Sequence, residues 1–270
     1  MLINHLGRPA TQLSDTTTNS SSTTSTEKNN ILKRFIAKSN KYLIASTLSA
    51  LAPMASAVDF DITIDNITRG LYFTPIAVVA HAANVNLFVS GVSASTELQT
   101  MAETGEIEDL ARVLTSSGAT MDNNPAAGLL APGAAATSTL DTINATANTK
   151  LSIVAMVLPS NDGFVGLNAV DIPTEPGTYT FYANAYDAGT EANDELRGGG
   201  DLNTPGFPVP EPLNPVLGTG GTGVTTTTEG FVHIHRGNLG DANTAGGISD
   251  VDSRVQRWLN PVARITVTVR

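Results

Sequence analysis

Three carboxylates in two short loops are the residues best suited to chemistry. Asp162 lies in the turn Pro159-Ser160-Asn161-Asp162-Gly163, and Asp187 and Glu191 bracket the loop Asp187-Ala188-Gly189-Thr190-Glu191. If both loops sit at the same end of a sheet, three negative groups converge. Like charges that close repel unless a cation neutralises them. Hard oxygen donors without cysteine or histidine favour calcium over zinc or copper, with loop carbonyls and water completing roughly six to eight ligands. Gly189 supplies the positive φ that a tight Asp-x-Gly-x-Glu loop calls for. From the spacing alone an ordinary solvated acidic loop is the better reading, because short acidic loops are common.

A second set is His233 and His235, which at i and i+2 on a strand face the same way. With His81 they are the histidines that remain after residue 57. An alternative function follows from them: a periplasmic copper- or zinc-binding protein, or a metalloenzyme, using His81, His233 and His235. The run Gly230-Phe231-Val232-His233-Ile234-His235, followed by Gly240-Asp241-Ala242-Asn243-Thr244-Ala245-Gly246, resembles a stretch of copper/zinc superoxide dismutase. That enzyme needs more histidine ligands than this chain has. Plain polar strand residues, or histidines that pair with carboxylates, are the simpler account. Asp250 and Asp252, near Asp241, could form a second calcium loop or a solvated one. Ser160 has no sequence-local base and the nucleophile-elbow motif is absent, so no catalytic residue is expected and the chain reads as no enzyme.

These loops need strands to hold them. Residues 151–158 (LSIVAMVL) are nearly all apolar and read as a buried strand running up to Asp162. Residues 164–170 then run down, the turn Pro173–Gly177 follows, and residues 178–185 run up to Asp187. In such a meander the Asp162 and Asp187 loops share an end. Phe60, Ile62 and Ile64 alternate with polar residues, as do Ile265, Val267 and Val269; residues 71–80 and 85–89 are also β-rich. Period-two patterning between turn residues predicts an all-β, antiparallel, eight-stranded β-sandwich. Between residues 96 and 114 the apolar spacing turns helical. Gly105 splits it into two short helices that cover one end or face, with Glu103, Glu106, Glu108 and Asp109 on their wet side. Trp258, before the last strand, reads as a core anchor. Two stretches, 116–137 and 197–230, read as long loops whose composition favours disorder over function.

Residues 11–30 are rich in Ser, Thr and Asn and are expected to be disordered. Lys33, Arg34, Lys38 and Lys41 precede the apolar run 42–54 and the small residues Ala55-Ser56-Ala57. That order spells a signal peptide cleaved after Ala57, and the run is too short for a membrane span. Residues 1–57 are therefore read as a disordered N-terminus plus signal peptide, and 58–270 as one secreted, periplasmic or cell-surface domain with no transmembrane segment. The 270-residue chain holds 15 Lys and Arg, of which six lie in the leader, and 25 Asp and Glu, of which two do. The remainder carries nine basic and 23 acidic residues, net −14. Such a surface argues against nucleic acid and against a basic patch for anionic lipid. It suits calcium, which is millimolar outside the cell and makes weak sites usable there. The absence of cysteine excludes disulfides, zinc–thiolate sites and cysteine nucleophiles.

Three motifs carry a family resemblance. Pro159-Ser160-Asn161-Asp162-Gly163-Phe164-Val165-Gly166 resembles the PSPDWFVG stretch of the spondin N-terminal domain found in F-spondin and mindin. Tyr186-Asp187-Ala188-Gly189-Thr190-Glu191 is similar to its YDAGTD, and Pro261-Val262-Ala263-Arg264-Ile265-Thr266-Val267 to its closing PIARVTL strand. The order and approximate spacing agree, and the segment from Phe60 to Leu98 matches more weakly. The resemblance covers most of 58–270 outside the two long loops. It implies an eight-stranded sandwich like those of calcium-dependent membrane-targeting domains, with calcium held at Asp162, Asp187 and Glu191. It also implies an adhesion or recognition role at the cell surface or in the extracellular matrix, toward an extracellular protein or glycan. Glu191 stands where the family motif has Asp, and Gly163 stands where it has Trp, which removes an exposed aromatic contact. The cysteines of the animal members are missing, and with the leader this suits a bacterial export route.

Overall fold

β1 (Asp59–Asn66) buries every second residue, so Phe60, Ile62 and Ile64 point into the core while Asp61, Thr63 and Asp65 do not. The computed structural model describes residues 58–270; the leader and its cleavage point after Ala57 lie outside the described residues. The order continues with β2 (Tyr72–Phe73), β3 (Ala77–Ala82), α1 (Thr96–Thr104), α2 (Glu108–Ser116), β4 (Thr120–Asn123) and β5 (Ala135–Asp141). β6 (Asn148–Leu158), β7 (Gly163–Asp171), β8 (Gly177–Asp187), a 3-10 turn (Asn214–Val216), β9 (His233–Ile234) and β10 (Ala263–Val269) complete it.

The ladders between these strands are all antiparallel and follow one path, β4-β3-β6-β7-β8-β10-β1-β5, with β2 beside β6 and β9 beside β8. The expected all-β class and the antiparallel meander are present. The separation into two sheets is not: the path runs on and nearly closes like a barrel. β8 is the reason. Its first seven residues pair with β10 and its last four with β7, so one long strand joins what would otherwise be two sheets.

β6 explains its own sequence. Leu151, Ile153, Ala155 and Val157 join the interior with Phe60, Ile62, Phe73 and Ile265. Val154, Met156 and Leu158 face outward into a second cluster with Leu98, Met101 and Leu110 of the helices. A strand covered on both sides reads as an unbroken apolar run. The helices thus cover a face of the sheet. Ser95 caps α1 by accepting from Leu98 N at 3.2 Å, and Gly105 ends it at φ 81°, in the left-handed region.

Some expectations fail locally. Residues 85–89 form no strand; Leu87 and Phe88 are buried, but the Leu87 amide is taken by the Asn168 side chain rather than a ladder. Within 116–137, β4 pairs with β3, and Leu130 pairs across to Phe73. The stretch 197–230 lacks long strands, yet Phe207 and Leu213 are fully buried in the outer cluster and pin it.

Candidate metal centre

The turn after β6 is held by Ser160, whose Oγ accepts from Gly163 N at 3.1 Å. This leaves Asp162 fully buried at the top of β7, where its neighbour Gly163 pairs with Asp187 at the end of β8. The two loops share an end, as the meander requires. Asp162 Oδ2 accepts from Thr190 N at 2.7 Å, Glu191 N at 3.0 Å and Thr190 Oγ1 at 3.2 Å. Asp187 Oδ1 accepts from Gly189 N at 2.8 Å, and Oδ2 from Asn193 Nδ2 at 2.7 Å. Gly189 adopts φ 71°, and a Cβ there would lie 2.4 Å from Phe231 O, so only glycine fits.

The charges are poorly compensated. Burial first, then the Asp187 carboxylate, pushes the Asp162 carboxyl from its ordinary 3.8 to about 7; the amides of Glu191 and Thr190 pull it back only in part. Burial pushes Glu191 from 4.5 to about 8, with the nearby carboxylates of Glu103 and Asp162 adding to it. Asp162 Oδ1 and Glu191 Oε2 are buried without a hydrogen-bond partner. Buried acceptors of this kind are normally satisfied by a donor, water or an ion. That donor set, all oxygen and electron-rich, fits a hard cation such as calcium.

Sequence reasoning misplaced Glu103. It is buried on α1 rather than on the wet side, accepting from Gln99 Nε2 at 2.8 Å and Asn203 N at 2.7 Å. Gly163 is buried too, so its position is not an exposed contact: a Cβ would meet Ser160 Oγ at 2.5 Å and His235 Cδ2 at 3.1 Å.

Among the described residues, one group of three metal-capable side chains places its ligand atoms within 4.8 Å of one another: Asp187, Glu229 and His233. Asp162 and Glu191 are not in it. Glu229 was missed, although its spacing of four residues ahead of His233 was a usable signal. The three-histidine set does not form. His81 pairs with Lys150 on β6, six residues below Met156, whose row leads through Phe164 to Tyr186 and Ile234. At ~3.3 Å per residue this is roughly 20 Å along the strand. His81 is instead a buried core histidine, bonded to Ser152 Oγ at 2.7 Å and the Ala82 carbonyl at 3.0 Å. Asp250 and Asp241 serve as loop pins, accepting from the amides of Arg197 and Gly221, and of Asn243, Ile248 and Ser249 respectively. Asp252 pairs with Arg254 at 2.7 Å.

Trp258 packs against the inner core and against the His235 ring, centroids 4.9 Å apart. No helix among the described residues is long and apolar enough to cross a membrane. No curated protein matches the chain in sequence. The Spondin_N family model matches residues 65–195, the span from the last two residues of β1 through β8 that includes the Asp162 and Asp187 loops. Over that span the chain belongs to the spondin N-terminal domain family.

Proposed function

We propose that the protein is an exported, calcium-binding recognition module with no catalytic role. In this reading it acts at the cell surface or in an extracellular matrix. Asp162, Asp187 and Glu191 supply the charged ligands, and an extracellular protein or glycan is the partner. Membership of a family of non-enzymatic extracellular modules supports the general class. The observation that carries the calcium assignment is the pair of buried, unpartnered oxygens, Asp162 Oδ1 and Glu191 Oε2, in loops that otherwise satisfy their polar groups. Calcium bonds of about 2.3–2.6 Å let ligand oxygens stand up to ~5 Å apart, so a loosely gathered set suffices. Binding would neutralise carboxylates that burial now disfavours in their charged form, and would stabilise the fold by its preference for the folded state.

Calorimetric titration of the full-length protein with calcium tests this. One ion per chain at up to millimolar concentration, lost in both Asp162→Asn and Glu191→Gln, is the expected result. No heat at millimolar calcium, or unchanged binding in both variants, removes the assignment.

A further inference from the structure

β9 puts His233 directly opposite Asp187, and His235 diagonal to it on the same face. His233 Nδ1 lies 2.9 Å from the Ile234 carbonyl, which can only accept, so Nδ1 carries a hydrogen; in the neutral ring Nε2 then presents a lone pair. That Nε2 has no hydrogen-bond partner and faces Asp187 Oδ1 at 3.5 Å and Glu229 Oε1 at 3.8 Å. Three electron-rich atoms facing one another repel unless a positive centre lies among them. Tetrahedral ligands with bonds of about 2.0–2.1 Å stand roughly 3.3–3.4 Å apart. The two His233 edges, 3.5 and 3.8 Å, need to close by only a few tenths of an ångström, and the Asp187–Glu229 edge lies within 4.8 Å.

His235 plays a different part. Its Nδ1 accepts from Gly237 N at 3.0 Å, so the hydrogen sits on Nε2, which has no partner and lies 4.0 Å from Asp187 Oδ2. The side chain is 4% exposed and its burial pushes the ring well below its ordinary protonation range, to about 4. Asn193 Nδ2 holds Asp187 Oδ2 at 2.7 Å, and at 4.0 Å the His235 N–H is beyond hydrogen-bond range; a closure of about 1 Å on metal binding would let it donate and help orient the carboxylate. Gly163 leaves the space that this ring fills. Glu229 is delivered by Gly230, whose φ of 79° and amide bond to the Gly189 carbonyl at 2.8 Å dock the segment onto the Asp187 loop. Arg236 also contacts Glu229 Oε1 at 3.2 Å, but Glu229 Oε2 is unpartnered and available. A cleft of about 530 Å³ lined by Asp187, Glu229, His235 and Arg236 gives access from solvent.

We propose that Asp187, Glu229 and His233 form a second cation site, for a divalent transition-metal ion of zinc's class, with His235 as the residue that positions Asp187. One imidazole and two carboxylates are a borderline donor set, which suits zinc or copper better than calcium. Asp187 and Glu229 line the cleft, so a water from it could serve as fourth ligand. The site goes beyond the calcium reading and shares only Asp187 with it, so the tests use residues that belong to one site alone.

The experiment titrates full-length protein with zinc in calcium-free buffer, by calorimetry and by nitrogen-15 NMR of the imidazoles. The expected result is one zinc per chain at micromolar concentration, with the His233 Nε2 resonance moving on binding while Nδ1 keeps its proton. His233→Ala and Glu229→Gln should each weaken zinc at least ~10-fold and leave calcium binding unchanged, whereas Asp162→Asn should leave zinc binding intact. His235→Gln should weaken zinc less than His233→Ala does. A His233 ring protonated on both nitrogens and indifferent to zinc would make the cluster a plain ion pair and overturn the proposal. So would zinc affinity that survives His233→Ala. Loss of calcium binding in Asp162→Asn bears on the calcium site alone.

Discussion

Replacing Asp162 by Asn should stabilise the calcium-free protein at alkaline pH while abolishing stabilisation by calcium. Moving a carboxyl from 3.8 to about 7 costs ~4 kcal/mol once it is ionised, at ~1.36 kcal/mol per pH unit. The sign follows from a raised acid: the folded state holds the proton more tightly than the unfolded one. The penalty is absent below pH 3.8, grows between 3.8 and about 7, and is complete above. Asn keeps the shape. Its carbonyl can take the place of Oδ2 under the amides of Thr190 and Glu191, and its NH₂ the place of the unpartnered Oδ1. Losing the stronger charged acceptor offsets part of the gain, leaving ~1–3 kcal/mol. For a domain of this size that is roughly 2–12 °C in Tm at pH 8. Thermal unfolding of both proteins from pH 4 to 8, with and without calcium, gives the result. The wild type should lose stability as pH rises through this window and regain ~2.7 kcal/mol at calcium 100-fold above Kd. Asp162→Asn should lose only the part that Glu191 contributes between pH 4.5 and about 8, and regain nothing with calcium. A variant less stable than the wild type in calcium-free buffer at pH 8 refutes the reasoning, because it would mean that the buried charge is already compensated.

Three further outcomes test the framework around the site. Phe60→Ala, at a fully buried position of β1, should cost ~3–5 kcal/mol in denaturant unfolding. Gly105→Ala should cost ~1–3 kcal/mol, because φ is 81° and the new Cβ would sit 2.7 Å from Thr74 Cγ2. His81→Ala should lower stability by ~1–3 kcal/mol, since it removes the bond to Ser152, yet leave zinc affinity unchanged in calorimetry; a loss of zinc binding would contradict the roughly 20 Å between His81 and the His233 row.

Local patterning carried the strands whose burial is regular. β1 and β10 alternate, β6 is apolar on both faces, and the two carboxylate loops follow from the order of β6, β7 and β8. What patterning could not give is which face a long-range neighbour covers. Glu103 looks like an exposed helix residue until Asn203, a hundred positions away, donates to it. The β-rich residues 85–89 have strand composition but no partner to pair with, because Asn168 occupies the Leu87 amide. Near closure of the sheet depends on β8 changing neighbours halfway, which no period reveals. The histidine pair was visible as a shared face. Asp187 was visible too, but not as their partner, and the spacing of Glu229 ahead of His233 only hinted at a contact that a loop anchored on Gly189 makes.

The ladder between β7 and β8 has only four residue pairs, Gly163 through Gly166 against Asn184 through Asp187, whereas β1 and β10 share seven. It is the shortest join between two of the long strands, and Asp162 and Asp187 sit at its open tip. A cation bound there, as proposed, would act as a rivet through a seam. Under a pulling load, as in a module tethered between a cell and its surroundings, that seam would part first in the metal-free protein, and the rupture force would then track the ion concentration around it.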